Sequence, residues 1–190
     1  MNRIDIGIIG VSGYTGLELV KMVLDHPNFE LAYCANTEGA TTISEIHPSL
    51  LKVCDLPVEK VDVQVAAKKC KLVFLALPHK AAMQTAKRLL ELGVKVVDLS
   101  ADYRLTQDNY ERFYCEHEDI TSLNYAIYSI PELHKDKAKN ARLIANPGCH
   151  VTASLLALAP FLNYLELDSP IFIDSKTGVS GAGKAPSATV

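Results

Sequence analysis

The amino-acid sequence predicts an α/β fold in which a mostly parallel sheet domain is followed by the start of a second α/β domain. Three observations predict it. Short apolar runs alternate with helical segments, which is typical of βαβ units. Glycines follow the first of these runs at intervals of three. The chain has 190 residues, 48% of them hydrophobic, which is enough for a sizeable core.

The first strand–helix–strand unit begins near the N-terminus. Residues 4–9, IDIGII, form a short apolar run with strand character. The segment LELVKMVLDH that follows the glycines has the periodicity of a helix with one apolar face, and it ends before Pro27. Residues 29–35, FELAYCA, alternate like a second strand.

The same pattern continues along the chain. Residues 71–78, KLVFLALP, form an apolar run typical of a strand covered on both faces. The segment KAAMQTAKRLLELG predicts a helix with Gly93 as its C-terminal cap. Residues 94–101 and 141–148 predict two further buried strands. Residues 102–140 are polar, tyrosine-rich and irregular, and they predict an excursion with short helices.

The last part of the chain predicts an unfinished domain. A helix beginning near Cys149 is followed by a predicted strand in SPIFIDSKTG, which leads into a glycine- and serine-rich loop. One helix and one strand cannot bury their own apolar faces. We therefore expect one complete domain at residues 1–148, the beginning of a second domain at residues 149–190, and a longer parent protein.

Charge and cysteine content exclude several classes of protein. The net charge of −3 argues against nucleic acid as the main partner. No segment has the character of a signal peptide or a membrane span. The five cysteines are an odd number without CxxC or other metal-ligand spacing. We therefore expect free thiols, no metal site and a reducing, cytoplasmic location.

The glycine loop GIIGVSGYTGLEL lies between a predicted strand and a predicted helix, the context in which such a loop binds a dinucleotide. Gly10 would permit the tight turn, Gly13 would let the backbone approach a pyrophosphate, and Gly16 would let the helix pack on the strand. The anion would lie on the amides of the helix N-terminus. The spacing GxxGxxG differs from the usual GxGxxG, and a tight turn that binds nothing is the alternative.

The end of the second predicted strand bears on the choice of dinucleotide. NAD-specific sheets usually carry an acidic residue there, which binds the ribose 2′-hydroxyl. This chain has Asn36 and Thr37 at that place, with Glu38 just beyond. Neutral hydrogen-bonding groups favour the 2′-phosphate of NADP, while Glu38 leaves NAD open as an alternative.

Cys149 is placed at the beginning of a predicted helix, directly after the turn Asn146-Pro147-Gly148. The unpaired amides of a helix N-terminus stabilise a thiolate and could hold an oxyanion. Such a thiolate beside a nicotinamide suggests thioester formation from an acyl group, followed by reduction to an aldehyde. The alternative is a small buried hydrophobic residue, which suits Cys34 and Cys70 better. Cys54 and Cys115 lie in polar segments.

Six motifs in order carry a resemblance to a known family: GVSGYTGLEL, HPSL, VFLALPHK, VVDLSADYRL, ANPGCHVTASLLAL and SKTGVSGAGK. Together they resemble the N-acetyl-γ-glutamyl-phosphate reductases of arginine biosynthesis, from Ile4 to Lys184. The resemblance implies that residues 1–148 form a Rossmann-type NAD(P)-binding domain and that residues 149–190 begin an α/β catalytic and dimerisation domain. It also implies NADPH as cofactor, a small acyl-phosphate substrate, and a homo-oligomer that is a dimer or tetramer.

The resemblance also implies roles for individual residues. Cys149 would be the thioester nucleophile, and Arg104 would grip the anionic substrate unless it forms a structural ion pair with Asp98 or Asp102. Asn146 would orient the acyl group or shape the turn. The cofactor would be held by residues of three loops and of the second domain: Gly10, Ser12, Gly13, Tyr14, Thr15, Gly16, Asn36, Pro78, His79, Ser180 and Gly181.

The chain departs from the family pattern in three ways. Position 150 is histidine where the family usually has tyrosine, and its place on the helix, about 100° from Cys149, points it away from the thiol. Ser129 replaces a usual glycine. The family's acid–base histidine would lie beyond residue 190, with His79 as the nearest substitute, so we expect the 190-residue chain to bind cofactor and turn over slowly.

Three other interpretations remain. An aspartate-semialdehyde dehydrogenase would run the same chemistry on β-aspartyl phosphate with a similar glycine loop, although NPGC and SADYRL favour the acetylglutamyl enzyme. A redox-sensing dinucleotide-binding module would explain the glycine loop but not a cysteine at the beginning of a helix. An inactive remnant is the third.

Overall fold

The computed structural model describes residues 3–166 and 168–184. The described residues contain eight strands, which are β1 (Ile4–Ile9), β2 (Phe29–Asn36), β3 (Thr41–Thr42), β4 (Pro57–Lys60), β5 (Leu72–Leu75), β6 (Lys95–Asp98), β7 (Ile127–Tyr128) and β8 (Leu143–Ala145). They also contain eight α-helices, which are α1 (Tyr14–Asp25), α2 (Ile43–Ile46), α3 (Val63–Lys69), α4 (Ala82–Glu91), α5 (Gln107–Phe113), α6 (Ile120–Leu123), α7 (Pro131–Lys139) and α8 (Cys149–Leu158). None of these helices is long and apolar enough to cross a membrane.

The strands form one sheet in the order β3-β4-β2-β1-β5-β6-β8-β7. Every neighbouring pair is parallel except β3 and β4. The predicted mostly parallel α/β fold is therefore confirmed. The chain leaves β1 towards β2 on one side and later crosses to β5 on the other side. Loops that follow β1 and β5 therefore border a crevice at the carboxyl edge of the sheet, where doubly wound folds bind ligands.

Helices cover both faces of the sheet, and the core is divided accordingly. On one face, Ile6 and Ile8 of β1 pack in a buried cluster with Val20 and Val23 of α1. On the other face, Ile9 belongs to a second cluster that contains Met83, Leu89 and Leu90 of α4. Successive side chains of a strand point to opposite faces, so a strand buried on both faces must be apolar at nearly every position.

The C-terminal end of α4 confirms the predicted cap at Gly93. This glycine has φ +81°, the left-handed conformation that glycine adopts without strain. Its amide donates to Leu90 O at 3.1 Å, and the amide of Val94 donates to Leu89 O at 3.0 Å. These two bonds form a Schellman motif, which ends the helix and directs the chain into β6.

The segment SPIFIDSKTG contradicts the predicted strand. Residues 170–178 have no regular secondary structure, and between them and residue 184, where the described part of the chain ends, only a short 3₁₀ turn is present, at Val179–Ala182. Ile171, Phe172 and Ile173 are exposed. A strand needs a neighbour with which its backbone can bond, and no described strand lies beside this segment. The division into domains at residues 148 and 149 stays a prediction.

Candidate active site

Two glycines of the loop after β1 are required by close contacts. Gly10 has φ +95°, and a Cβ atom there would lie 2.2 Å from Ala76 O, in the segment that follows β5. A Cβ atom at Gly16 would lie 2.5 Å from Gly10 O. The amides of Gly10 and Val11 both donate to Ala35 O, at 2.8 and 3.3 Å. The roles predicted for Gly10 and Gly16, tight turning and close packing of α1, agree with these contacts.

The same loop leaves a cradle of amides at the N-terminus of α1. Gly13 is the N-cap residue, and no side chain caps the helix. No acceptor among the described residues bonds the backbone amides of Ser12, Gly13, Tyr14, Thr15 and Gly16. A Cβ atom at position 13 would have no neighbour closer than Gly10 O at 4.0 Å, so the cradle is open. Free amides with the helix dipole behind them fit the pyrophosphate of a dinucleotide.

Asn36 at the end of β2 is bound to the glycine loop. Its Nδ2 donates to Ser12 Oγ at 2.9 Å, while its Oδ1 accepts the amides of Glu38 at 2.9 Å and Gly39 at 2.6 Å. Asn36 therefore shapes the turn after β2 and orients the Ser12 hydroxyl, and a direct contact with the ribose stays a prediction. Glu38 is exposed at the same edge.

His47 supports the glycine loop, and we did not predict this from the sequence. The side chain is 5% exposed, and its Nε2 lies 2.6 Å from Val11 O. A carbonyl oxygen can only accept, so the ring carries a proton on Nε2. The residue belongs to the HPSL motif, but neither periodicity nor composition indicates a contact with a loop so distant in sequence.

Pro78 and His79 follow β5 and are exposed at the carboxyl edge of the sheet, beside the loop after β6. His79 Nδ1 accepts the backbone amide of Ala101 at 2.9 Å. This bond places the ring proton of the neutral form on Nε2, which is left to donate. The ring also makes an edge-on contact with Tyr114, with centroids 5.5 Å apart.

Arg104 holds the turn that precedes Cys149. Its Nε donates to Asn146 O at 2.7 Å, and its Nη2 donates to Leu99 O at 2.6 Å. The alternative of a structural ion pair with Asp98 or Asp102 is wrong, because the guanidinium is bound to these two carbonyls and forms no salt bridge with either carboxylate. The third nitrogen, Nη1, lies beside Gly148: a Cβ atom at that position would be 3.2 Å from it.

Asn146 belongs to the turn itself. Its backbone amide donates to Asp98 O at 2.8 Å, and its side-chain Nδ2 donates to Pro147 O at 3.0 Å. The side chain therefore shapes the turn, while contact with an acyl group stays a prediction. Gly148 is the N-cap of α8, and Cys149 is the first helical residue, as the sequence predicts.

The five cysteines differ sharply in exposure. Cys34, Cys54 and Cys70 are buried, Cys115 is half-buried, and Cys149 is exposed. Burial raises the pKa of Cys34 to about 12 and that of Cys70 to about 11, so both remain protonated thiols at neutral pH. Cys54 lies inside the core, although the sequence around it is polar. Cys149 is therefore the thiol that a substrate could reach.

The predicted residues after α8 do not reach the glycine loop through any described hydrogen bond. Ser180 and Gly181 lie in the exposed 3₁₀ turn, where the amide of Gly181 donates to Gly178 O at 2.9 Å. His150 is exposed, and its Nδ1 lies 2.5 Å from Ser175 Oγ. The proposed closure of Ser180 and Gly181 over the nicotinamide stays a prediction.

Asp98 is a buried carboxyl group at the end of β6, beneath the Arg104 loop. It accepts the amide of Ser100 at 3.1 Å and the hydroxyl of Ser100 at 2.7 Å. Burial raises its pKa to about 6, and these hydrogen bonds offset only part of that effect. A carboxyl whose pKa is raised by folding stabilises the fold most below its unfolded value, and this stabilisation is lost as pH rises through about 6.

We expect Asp98→Asn to abolish the loss of stability that ionisation of this carboxyl causes as the pH rises through about 6. The amide can keep both bonds with Ser100 but has no charge to bury. Two pH units correspond to roughly 3 kcal/mol, so the free energy of unfolding of the wild type should fall by up to that amount relative to the variant between about pH 4 and pH 7. Urea denaturation of both proteins across this range measures it. Parallel curves for the two proteins would contradict the assignment.

Comparison with known proteins agrees with this geometry. Residues 5–141 match the semialdehyde dehydrogenase NAD binding domain. The chain belongs to the semialdehyde dehydrogenase family. Residues 149–190 match the dimerisation domain of the same family. The Rossmann-type fold therefore stands on both the structure and the family, and the family match identifies this part of the chain as an NAD binding domain. The role of the glycine loop in binding the dinucleotide stays a prediction.

Several curated relatives share the name N-acetyl-gamma-glutamyl-phosphate reductase. N-acetyl-gamma-glutamyl-phosphate reductase of Sulfurimonas denitrificans is 58% identical over 97% of this chain, which covers 55% of that protein. The reductase of Campylobacter curvus is 56% identical over 100% of the chain and 56% of its own length. The chain thus spans about half the length of the curated relatives that it matches, consistent with an N-terminal portion of such a reductase.

Solved structures of semialdehyde dehydrogenases share the fold. Aspartate semialdehyde dehydrogenase from Candida albicans, solved with NADP, has a TM-score of 0.60 at 16% identity, covering 86% of this chain and 48% of that chain. Aspartate semialdehyde dehydrogenase II from Vibrio cholerae, complexed with ASA, has a TM-score of 0.60 at 15% identity, covering 86% of this chain and 43% of that chain. At this identity the likeness shows the fold alone.

Proposed function

We propose that the protein to which this chain belongs reduces N-acetyl-glutamyl 5-phosphate to N-acetyl-glutamate 5-semialdehyde and phosphate, with NADPH as reductant. The observation that carries the proposal is an exposed cysteine at the first position of α8, on the same edge of the sheet as the amide cradle of the glycine loop. The names of the curated relatives support the substrate.

Cys149 would act as a nucleophile on the acyl carbon. Its thiolate attacks the carbonyl, a carbon–sulfur bond forms, and the carbon–oxygen bond to phosphate breaks, which leaves a thioester on Cys149. No acceptor among the described residues bonds the amides of Cys149, His150 and Val151, and no side chain caps α8. These amides can hold the oxyanion that forms during attack.

The dinucleotide would be held by residues already described. The cradle from Ser12 to Gly16 would bind the pyrophosphate, Asn36 and Thr37 would border the ribose, and Pro78 and His79 would lie beside the nicotinamide half. NADPH, when bound, supplies a hydride to the thioester carbon. Cys149 then leaves as a thiolate and the semialdehyde is released. Neutral groups at positions 36 and 37 favour NADP over NAD.

Arg104 would bind the substrate with the nitrogen that the turn does not use. Nε and Nη2 are occupied by Asn146 O and Leu99 O, which leaves Nη1 for a phosphate or carboxylate oxygen. The two carbonyl bonds keep the guanidinium in one orientation. The proposal thus keeps the anion-binding role that the resemblance implies for Arg104 and adds a structural role in the turn before Cys149.

We expect Arg104→Lys to lower kcat/KM for the acyl phosphate by roughly 100-fold. Lysine keeps the positive charge, but its single nitrogen cannot place donors at the separate positions of Nε, Nη1 and Nη2. Steady-state kinetics of the full-length protein measures the effect, and the exposed Arg112→Lys is the matched control. Unchanged kinetics in Arg104→Lys would remove Arg104 from the site.

The function is tested by offering two substrates to the full-length protein. We expect reduction of N-acetyl-glutamyl phosphate with oxidation of NADPH, and much slower reduction of β-aspartyl phosphate. The reverse preference would support the aspartate-semialdehyde alternative. Dinucleotide binding without turnover of either substrate would support a non-catalytic module.

The proposal extends to assembly and location. The dimerisation-domain match supports self-association, and we propose a dimer or tetramer of the full-length protein in the cytoplasm. Its partners would be the small acyl phosphate and the dinucleotide, without nucleic acid or membrane. The acid–base histidine would come from the part of the longer protein beyond residue 190.

A further inference from the structure

Asp102 is a fully buried carboxyl group that the proposed chemistry does not use. It lies in the loop after β6, and its side chain bonds the loop after β5. Oδ1 accepts the backbone amide of Lys80 at 2.8 Å and the hydroxyl of Tyr110 at 2.8 Å. Oδ2 accepts the backbone amide of Ala82 at 3.3 Å. All three partners are donors, so both oxygens serve as acceptors.

The backbone of Asp102 is fixed as well. Its amide donates to Ser100 Oγ at 3.0 Å, and its carbonyl accepts Nε2 of the buried His117 at 2.7 Å. His117 Nδ1 in turn accepts the amide of Asp119 at 3.1 Å. These buried hydrogen bonds fix the backbone of Asp102. Its carboxyl group therefore has a fixed position from which it can hold the loop after β5.

The loop that Asp102 anchors contains a strained residue. Lys80 has φ +74°, a left-handed conformation that is disfavoured for any residue with a Cβ atom. Its amide is one of the two that Asp102 accepts. Such a conformation persists only where the surroundings hold it, and residues of this kind cluster at functional sites.

The strained backbone sets the position of His79. This residue directly precedes Lys80, and its Nδ1 accepts the amide of Ala101, the residue directly before Asp102. Two adjacent residues of one loop therefore bond two adjacent residues of the other. The result is an imidazole whose Nε2 proton bonds no described residue, at the carboxyl edge of the sheet beside the dinucleotide crevice.

We propose that Asp102 is a positioning residue, which holds Lys80 in its left-handed conformation and thereby directs His79 towards the bound dinucleotide. This inference rests on the proposed function for the identity of the ligand. Asp102 itself touches neither cofactor nor substrate. Its contribution is to the affinity for the dinucleotide and to the orientation of one imidazole.

The first test is Asp102→Asn in this chain, with NADPH binding followed by calorimetry. The asparagine has the same shape, but one acceptor becomes an NH₂ group that faces a donor, so one of the two loop amides loses its partner. We expect the Kd for NADPH to rise about tenfold. Tyr110→Phe is the matched control, because it removes a donor from the same carboxylate without touching the loop. Its Kd should stay within about twofold of the wild type.

The second test separates positioning from general stability. Glycine adopts a positive φ without strain, so a glycine at position 80 keeps this conformation without the bond from Asp102. Adding Lys80→Gly to Asp102→Asn should therefore restore the Kd for NADPH to within about threefold of the wild type. A loss of affinity that came from weakened packing would not be restored. An unchanged Kd in Asp102→Asn, or a double variant as weak as the single one, would overturn the proposal.

A spectroscopic readout makes the inference independent of the proposed function. Nitrogen-15 NMR of the His79 ring, in the absence of cofactor, reports which ring nitrogen carries the proton. We expect the Nε2-protonated form in the wild type, a mixture in Asp102→Asn, and recovery in the double variant. A wild type that binds no dinucleotide would overturn the proposed function alone, whereas an unaltered His79 signal in Asp102→Asn would overturn the positioning role.

Discussion

Cys149→Ser is expected to abolish reduction of the acyl phosphate in the full-length protein, with a fall in kcat of roughly 10³-fold or more. Serine has the same size, but its hydroxyl is not ionised at neutral pH and cannot form the thioester. Cys149 is exposed among the described residues, so the substitution removes no packing contact there. The Kd for NADPH should be unchanged, because the amide cradle lies on another loop. Stopped-flow oxidation of NADPH measures the chemical step.

The control for this prediction is Cys115→Ser, which changes a half-buried thiol that belongs neither to α8 nor to the turn before it. It should retain activity. Alkylation by iodoacetamide in the 190-residue chain, mapped peptide by peptide, provides a second check. Cys149 should react while Cys34 and Cys70 stay unmodified, because burial keeps both of the latter protonated. Retained turnover in Cys149→Ser would sink the thioester mechanism.

Gly10→Ala should have the largest effect on folding. The new methyl group would lie 2.2 Å from Ala76 O, and the residue would have to keep φ +95°. β1 and β5 are paired, so the residues that follow them cannot move apart without breaking hydrogen bonds between the two strands. We expect a loss of about 3 kcal/mol or more, and a Tm lower by roughly 6–12 °C in a chain of this size. Differential scanning calorimetry measures both.

Gly13→Ala is the matched comparison, because the same methyl group enters open space there. The nearest atom is 4.0 Å away and the backbone has φ −81°, which alanine adopts readily. Its stability should stay within about 1 kcal/mol of the wild type, while the affinity for NADPH should fall about tenfold or more. A Gly13→Ala variant that binds NADPH normally would show that the cradle does not hold the pyrophosphate.

Local patterns in the sequence predict much of the fold. The strand at residues 4–9, the helix that ends before Pro27 and the cap at Gly93 are each determined by residues close together in the chain, and all are found. The short strands β3, β4 and β7 were not predicted. Each has only two to four residues, so no periodicity can develop, and its pairing depends on strands distant in sequence.

The candidate site divides in the same way. Cys149 and the glycine loop can be found from the sequence, because a helix start and a glycine spacing are local signals. The support of the loop by His47 and the anchoring of Lys80 by Asp102 cannot, because each bond joins residues that only the folded sheet brings together. The strand predicted in SPIFIDSKTG is absent because an apolar run is a local signal, whereas a strand also needs a neighbouring strand to which its backbone can bond.

The bonds of Arg104 have a consequence for motion within the molecule. Asn146 is held to the sheet by Asp98 O and by the guanidinium, while Cys149 begins a helix in which no residue is fully buried. Any swing of α8 against the sheet must therefore turn about Pro147 and Gly148, directly next to the sulfur. A pivot displaces least what lies closest to it, so such a rotation would move the thiol less than it would move the far end of the helix.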